Sequence, residues 1–382
     1  MILGISKESL EGEKRVAIVP SHVPLLQKQG FVVHLESGAG LSAGVTDKMY
    51  EEQGVRVIQN REDLFTESKI ILHVRGLEAN NDKEPGFIKQ LKENQILIGL
   101  LDPFNNLDVV KELARKKLKA FAMELIPRIS RAQSMDVLSS QANIAGYKAA
   151  LIAADTLPKM FPMMMTSAGT ITPARVFVIG AGVAGLQAIA TCNRLGAIVS
   201  AYDIRPIVKE QVQSLGAKFV EFELETEKAE DKGGYAKEMD EAFYKKQQQM
   251  MSRVISENDV VIATAAVPGK KAPVLVTKEM VSGMKQGSVI VDLAAEQGGN
   301  CEVTEPGKSV QVDGVTVIGP LNVPSLVAFH SSQMYSKNIT NFLNLMVKDG
   351  KLEIDTEDEV ISGSLVTDNG EIVNSSIKEV VG

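Results

Sequence analysis

The chain has 382 residues, of which 44% are hydrophobic and 23% charged, and its formal net charge is −7. At about 150 residues per domain, this length predicts two domains, or three. The acidic balance disfavours nucleic-acid binding through a net basic surface, and Cys192 and Cys301 lack the spacing of zinc ligands and favour a reducing compartment.

Apolar runs of strand length alternate with helical patterns from one end of the chain to the other. A first series of strands is predicted at residues 2–5, 31–35, 70–74 and 95–100. A second series is predicted at residues 175–179, 198–202, 260–264 and 288–291. Between the first two strands a helix is predicted over residues 21–30, with Gly30 placed to end it. Strands that alternate with helices indicate βαβ units, so we predict an α/β protein of two doubly wound domains with mainly parallel sheets.

Two longer helical patterns bound the second series of strands. One covers residues 134–157, which contain no proline, and the other covers about 325–347. If both cross between the domains, the C-terminal tail returns to the first domain. We therefore predict a discontinuous first domain, residues 1–135 plus 326–382, and a second domain, residues 136–325.

No targeting or membrane segment is predicted. The first residues lack a basic head followed by a long apolar stretch, which disfavours a signal peptide. No run reaches the roughly 18 consecutive apolar residues of a spanning helix. We expect a chain that does not insert into the membrane, although it can still dock on a membrane partner.

A glycine-rich turn carries the clearest chemical signal. The strand 176–179 runs into Gly180, Gly182 and Gly185, and a helical pattern follows. In this context the first glycine permits the tight turn, the second admits a pyrophosphate to the backbone, and the third allows close helix packing. Asp203 ends the next strand, where a carboxylate would accept hydrogen bonds from the adenosine ribose. The alternative is a tight turn with a helix-capping aspartate.

Asp203 favours NAD over NADP, because a carboxylate repels a 2′-phosphate. Arg205 complicates this prediction, since an arginine there would neutralise a phosphate. We place Arg205 over the adenine or near the pyrophosphate, or else on the surface.

A second constellation lies in residues 128–136, before the helical pattern that joins the two series. Gln133, Asp136 and Ser139 follow one another at a spacing of three, which puts them on one face of a helix. A capping box or a structural hydrogen-bond network would explain this polar stripe. The functional hypothesis is that these groups, with Arg128, grip the nicotinamide end of a dinucleotide.

Residues 221–232 differ in composition from the rest of the chain, with eight charges in twelve residues. Gly233, Gly234 and Tyr235 follow them. Such a stretch cannot bury enough apolar surface to join a core. It is either a solvated surface loop or a mobile lid over a ligand.

The sequence offers no obvious acid or base. A dehydrogenase acting on an alcohol or amine needs one, usually His or Lys, and the four histidines of this chain are isolated in the sequence. Hydride transfer between two nicotinamides moves no substrate proton and needs no such group. Only one dinucleotide fingerprint is present, so the second nicotinamide would lie on another polypeptide.

At these residues the chain resembles the NAD(H)-binding α subunits of the proton-translocating NAD(P) transhydrogenase family, over nearly its whole length. The more specific stretches are residues 123–136, 161–166, 233–239 and 298–301. The resemblance implies a homodimer of two Rossmann-like domains that binds NAD(H). It also implies docking on a membrane-spanning subunit and on an NADP(H)-binding domain, at the cytoplasmic face of the inner membrane.

The resemblance also assigns residues by position. On the nicotinamide side these are Arg128, Ile129, Ser130, Gln133, Asp136 and Ser139. Of these, Arg128, Gln133, Asp136 and Ser139 are the catalytic candidates, and Gln133 is expected to face the partner's nucleotide. On the adenosine side they are Val183, Asp203, Ile204 and Arg205, with Gln247 on the helix that follows the mobile loop. The cofactor-binding candidates also include Gly180, Gly182 and Gly185 of the turn pattern, and Ala266, which lies just beyond a strand end, where a doubly wound fold exposes ligands. Gly234 and Tyr235 match the mobile loop of the family.

Alanine dehydrogenases share this architecture and are the competing interpretation. Arg15 fits their substrate arginine, whereas His73 and Asp102 stand where the resemblance places their substrate lysine and catalytic histidine. These two departures disfavour amino-acid chemistry, and Arg15 is then structural or vestigial. A non-catalytic NAD-binding module is a third interpretation.

Overall fold

The computed structural model describes residues 1–75, 86–221, 241–266 and 271–381, with the backbone alone at residues 86 and 241–246. Contacts divide the chain into two compact units. The first unit is Met1–Gln141 with Ser325–Gly382, and the second is Ala142–Pro324. The sequence places the corresponding boundaries after residues 135 and 325.

The N-terminal region of the chain alternates strands and helices as far as the long helix α6. Its strands are β1 (Ile2–Ile5), β2 (Val32–Glu36), β3 (Arg56–Ile58), β4 (Ile70–Leu72), β5 (Ile96–Gly99) and β6 (Lys119–Ala122). Its helices are α1 (Val23–Lys28), α2 (Asp47–Glu51), α3 (Arg61–Glu67), α4 (Gly86–Gln90), α5 (Leu107–Arg115) and α6 (Val137–Thr156).

The second unit continues this alternation. Its strands are β7 (Met164–Thr166), β8 (Gly169–Ile171), β9 (Arg175–Ile179), β10 (Ile198–Tyr202), β11 (Lys218–Phe219), β12 (Val260–Ala263), β13 (Val289–Asp292), β14 (Ser309–Val312) and β15 (Val315–Ile318). Its helices after α6 are α7 (Val183–Arg194), α8 (Lys209–Ser214), α9 (Glu241–Glu257) and α10 (Lys278–Ser282).

The C-terminal region of the chain completes the first unit. Its helices are α11 (Ala328–Asn344), α12 (Glu359–Ser364) and α13 (Ser375–Val381). Its strands are β16 (Val347–Lys348), β17 (Lys351–Leu352), β18 (Leu365–Asp368) and β19 (Glu371–Ile372).

Each unit is built on one large sheet. In the first unit the order is β3-β2-β1-β4-β5-β6 in parallel, extended by the antiparallel strands β18 and β19. In the second it is β11-β10-β9-β12-β13-β15 in parallel, with β14 antiparallel at the edge. Both parallel series follow the doubly wound order, so the predicted fold class is confirmed.

Apolar side chains alternate across the strands because both faces of a parallel sheet are covered by helices. On β9, Val176 and Val178 join the core on one face of the sheet, and Phe177 and Ile179 join the core on the other. All four are buried. The predicted helix over residues 21–30 is found as a short 3₁₀ turn and α1, and Gly30 follows in the left-handed conformation at φ +89°.

The helix predicted to begin at residue 134 begins later. Ser130–Met135 forms a 3₁₀ helix, Asp136 is extended at φ −69° and ψ 93°, and α6 starts at Val137. Apolar periodicity does not distinguish a 3₁₀ turn from the first turn of an α-helix, so the sequence alone did not find this break. Among the described residues, no helix combines the length and apolar character needed to span a bilayer.

Candidate functional site

The glycine-rich turn lies where the strand order of the second unit reverses, between β9 and β12. Gly180 is left-handed at φ +91°, and a Cβ there would lie 2.8 Å from Oγ1 of Thr264. A Cβ on Gly185 would lie 1.8 Å from the carbonyl oxygen of Gly180. Both positions therefore require glycine, as predicted from the turn pattern.

Gly182 differs from the other two glycines because a Cβ built there meets no atom of the described residues within 4 Å. It is the N-cap of α7 and provides no side-chain cap. Space is thus open beside the N-terminus of α7, the positive end of the helix dipole, and Gly182 offers no side-chain cap to the first backbone N–H groups, which begin at Val183. Such an arrangement suits a phosphate group.

Asp203 follows β10 and is only 8% exposed. Its Oδ2 accepts hydrogen bonds from the amide of Ala181 at 2.7 Å and from Nη2 of Arg205 at 2.8 Å. Its Oδ1 accepts from the amide and Nε of Arg205, at 2.8 and 2.9 Å. These four bonds fill the lone-pair sites of the carboxylate. A ribose hydroxyl can bind here only after the Arg205 guanidinium moves away.

The ion pair between Asp203 and Arg205 was not predicted from the sequence. The available signal was the spacing, since a carboxylate and an arginine two residues apart at a strand end can reach each other. Ile204, between them, is half-buried, and Ala266 is exposed just beyond β12. Gly234 and Tyr235 lie outside the described residues.

Gln247, on α9, is fully buried beside the end of β10. Its Nε2 donates to the hydroxyl of Tyr202 at 2.8 Å. Tyr202 directly precedes Asp203. Its Oε1 is buried without a partner among the described residues. A buried acceptor that lacks a donor costs about 1–3 kcal/mol of stability, so replacing Gln247 by an apolar residue need not lower the stability of the fold.

We predict that Gln247→Leu weakens NADH binding severalfold without lowering the melting temperature, because it removes a buried unsatisfied oxygen together with the amide. Fluorescence titration and a thermal melt measure the two quantities. Gln248→Leu is the control, since its Nε2 donates to Val274 O at 2.6 Å. That variant should lose stability and keep its affinity. Unchanged NADH affinity in Gln247→Leu would contradict the assignment.

In the first unit, residues 128–139 form a compact polar segment. Asp136 caps α6: its Oδ1 accepts from the amide of Ser139 at 2.9 Å, and its Oδ2 accepts from the Ser139 hydroxyl at 2.6 Å. Nε of Arg128 lies 3.9 Å from the same carboxylate. The structure thus brings Arg128, Asp136 and Ser139 together, and the capping interpretation of the polar stripe is correct for Asp136.

Gln133 stands apart from these three residues. It lies on the 3₁₀ helix, is exposed like Ser130, and its side chain makes no hydrogen bond to any described residue. Ile129 is half-buried at the start of that helix. The Gln133 amide is therefore available to a ligand.

The segment is held by bonds on both sides of Gln133. Arg131 forms a paired contact with Asp358, with both distances 2.8 Å. The carbonyl oxygen of Ser134 accepts from the side-chain amides of Asn338 at 2.9 Å and Asn341 at 3.1 Å, both on α11. The backbone that carries Gln133 is thus fixed although its side chain is free.

Arg15 is buried in the first unit and bound by neighbouring side chains. Its Nε and Nη2 donate to the two carboxylate oxygens of Glu13, at 2.8 and 2.6 Å. Its Nη1 donates to Oε1 of Gln141 at 2.9 Å. With 3% of its surface exposed, Arg15 has a structural role in this conformation.

Two further carboxyl groups lie in the same unit. Glu8 accepts from the amides of Val74 at 2.6 Å and Arg75 at 2.8 Å. Burial, and then the neighbouring charge of Glu13, raise the pKa of Glu8 to about 7. Burial likewise raises the pKa of Glu124 to about 7.

These shifts predict how stability depends on pH. Between pH 4.5 and about 7 the folded protein keeps a proton on Glu8 that the unfolded chain loses. The free energy of unfolding therefore falls as pH rises through this window, by up to about 1.4 kcal/mol per pH unit for one such group. The side chain in Glu8→Gln stays neutral at every pH. The free energy of unfolding of this variant, measured by urea unfolding at several pH values, should therefore fall less steeply with pH than that of the wild type. Glu371 is exposed, so the control variant Glu371→Gln should show the same dependence of unfolding free energy on pH as the wild type. The same pH dependence in the wild type and in both variants would refute the prediction.

Comparison with known proteins covers both units. The N-terminal domain model of alanine dehydrogenase/PNT matches residues 4–145, and the C-terminal domain model matches residues 149–375. The first of the polypeptides that make up the NAD(P) transhydrogenase subunit alpha of Rhodospirillum rubrum is 48% identical over 99% of this chain and 99% of its own length. An alanine dehydrogenase of Methanococcus maripaludis is 26% identical over 99% of this chain and 95% of its own.

Solved structures agree with these matches. The transhydrogenase of Sinorhizobium meliloti has a TM-score of 0.87 and 45% identity, over 98% of this chain and all of its own. An L-alanine dehydrogenase has a TM-score of 0.83 at 24% identity, over 100% of this chain and 99% of its own, which shows the shared fold.

Proposed function

We propose, since the chain belongs to the alanine dehydrogenase/PNT family and groups there with the NAD(P) transhydrogenase α subunits, that it is the NAD(H)-binding component of a proton-translocating transhydrogenase. The observation that carries this proposal is the turn Gly180–Gly185 at the switch point of a doubly wound sheet. There, open space lies beside Gly182 and uncapped amides begin α7.

NAD(H) binding to the second unit follows from the chemistry of that edge. The α7 amides, with Gly182 and Val183, would hold the pyrophosphate. Asp203 would bind the adenosine ribose once Arg205 turns from the carboxylate to the phosphates, and the carboxylate would disfavour a 2′-phosphate. Gln247, with its unpaired oxygen, and Ala266 would border the adenosine.

The first unit would handle the nicotinamide through residues 128–139. The reduced ring supplies the hydride, so the chain has to position groups and does not have to move a proton. Arg128, Asp136 and Ser139 are held together by their mutual contacts, and Ile129 and Ser130 begin the same segment. Gln133, with its free amide on a fixed backbone, would contact the nucleotide of the partner.

The chain would act together with partners. NADP(H) would be carried by a separate NADP(H)-binding domain, and both would dock on a membrane-spanning subunit at the cytoplasmic face of the inner membrane. A second copy of the chain would cover the hairpin β7–β8, where Met163 and Met165 are 60% and 78% exposed. Exposed apolar patches of this kind mark interaction surfaces, and light scattering of the purified chain would detect a dimer.

The alanine-dehydrogenase alternative is disfavoured by the first unit. A substrate carboxylate needs a free guanidinium, whereas that of Arg15 is taken up by Glu13 and Gln141. Burial lowers the pKa of His73 to about 3, so this side chain stays neutral. The Asp102 carboxylate accepts a hydrogen bond from Nδ2 of Asn105 at 2.9 Å, and the Asp102 backbone has φ +44°.

A turnover experiment separates the three functions. The isolated chain with NAD⁺ and alanine should form no NADH. With NADP⁺ and the NADP(H)-binding domain added, deuterium from NADH labelled at C4 of the nicotinamide should appear in NADPH by mass spectrometry. Alanine-dependent NADH formation would favour the dehydrogenase. NADH binding without any transfer in the complete mixture would favour the non-catalytic module.

The role of Gln133 has its own test. Gln133→Asn withdraws the amide by one methylene, and a displacement of that size costs about tenfold to a hundredfold in transfer rate. NADH affinity should change much less, because the nucleotide is held mainly elsewhere. Gln90→Asn, at an exposed position of the same unit, is the matched control. Equal losses of rate and affinity in Gln133→Asn would contradict the assigned role.

A further inference from the structure

The stretch 298–301, one of those that carry the family resemblance, forms a turn after β13. Gly298 and Gly299 are both left-handed, at φ +97° and +84°. Asp292 is the last residue of β13, and its Oδ2 accepts a hydrogen bond from the backbone amide of Cys301 at 2.9 Å. A Cβ on Gly299 would lie 2.9 Å from the same Oδ2 atom. This turn directs Asn300 into the interior, where it is 0% exposed.

The Asn300 side chain binds both backbone groups of one residue. Its Oδ1 accepts from the amide of Ala265 at 2.9 Å, and its Nδ2 donates to the Ala265 carbonyl at 2.8 Å. Nδ2 also donates to the carbonyl of Pro273 at 2.9 Å. A side-chain amide can both donate and accept in this way, whereas an ionised carboxylate of the same shape has no donor.

The clamped residue is directly connected to the glycine-rich turn. Ala265 follows Thr264, whose Oγ1 donates to the carbonyl of Gly180 at 3.0 Å and whose amide donates to Ile179 O at 2.8 Å. A continuous path of hydrogen bonds and one peptide bond thus runs from Asn300 through Ala265 and Thr264 to Gly180. All of it lies within the second unit.

We propose that Asn300 is a positioning residue for nucleotide binding: by clamping the backbone of Ala265, it holds the end of β12 against the turn at Gly180. This inference rests on the proposed function, since it concerns the nucleotide that the turn would bind. Asn300 is fully buried and acts through Ala265 and Thr264. Loss of the clamp loosens the strand end that leads to the exposed Ala266, and this lowers affinity without altering residues 128–139 of the first unit.

The test compares Asn300→Asp with Asn258→Asp. Asn258 is 6% exposed, precedes β12 at the opposite end of the strand, and donates through Nδ2 to Val254 O at 2.7 Å. Both variants exchange a buried amide donor for an oxygen, so both lose stability. The NADH dissociation constant, measured by fluorescence well below each melting temperature, should rise about tenfold for Asn300→Asp and stay within about twofold for Asn258→Asp.

Turnover with the NADP(H)-binding domain adds a second readout. For Asn300→Asp the KM for NADH should rise while kcat is unchanged. Wild-type affinity in a folded Asn300→Asp protein, or a fall in kcat at constant KM, would overturn the inference. Failure of the wild-type chain to bind NADH would instead refute the proposed function.

Asn300→Asp introduces a buried carboxylate, so a milder variant guards against loss of the fold. Thr264→Val keeps the shape of the side chain and removes the hydroxyl bond to Gly180. Its NADH affinity should fall severalfold. If Asn300→Asp does not fold and Thr264→Val binds like the wild type, the inference is wrong.

Discussion

The close approach of backbone to backbone at the glycine-rich turn is the constraint on which the second unit depends. A side chain on Gly185 would overlap the carbonyl of Gly180, and one on Gly146 of α6 would lie 2.0 Å from the carbonyl oxygen of Ala184. Helix α6 packs closely on α7 because position 146 is glycine, and α7 starts close to the turn because position 185 is glycine. That packing keeps the open end of α7 beside β9, where an anionic ligand would meet its amides.

The polar groups of the chain fall into two kinds. Some are fixed by hydrogen bonds to other groups of the chain: Asp203 accepts from Arg205, and Asp136 accepts from Ser139. The Gln133 amide and Oε1 of Gln247 are without partners among the described residues. The proposed positioning of a nicotinamide for hydride transfer would need such a fixed frame and a few free amide groups, and it would need no catalytic acid.

Much of the fold and some of the site were predictable from local patterns. Apolar runs located β1, β9 and β10 at their observed bounds, and Gly180 and Gly185 were assigned from their spacing. The start of α6 was predicted three residues early, because the apolar pattern is the same whether a 3₁₀ helix or the first turn of an α-helix occupies residues 134–136. The sequence alone did not distinguish a capping role from a ligand-binding role for residues 133–139. For Asp136 the structure shows the cap.

The sequence alone determined the alternation of strands and helices and the turn that requires glycine, since periodicity and backbone conformation are properties of neighbouring residues. Only the tertiary structure decided which polar groups meet. Asn300 reaches Ala265 across 35 residues, and Arg131 reaches Asp358 across 227. Hydrogen-bond partners that distant are brought together by the packing of sheets and helices, which residue spacing does not encode.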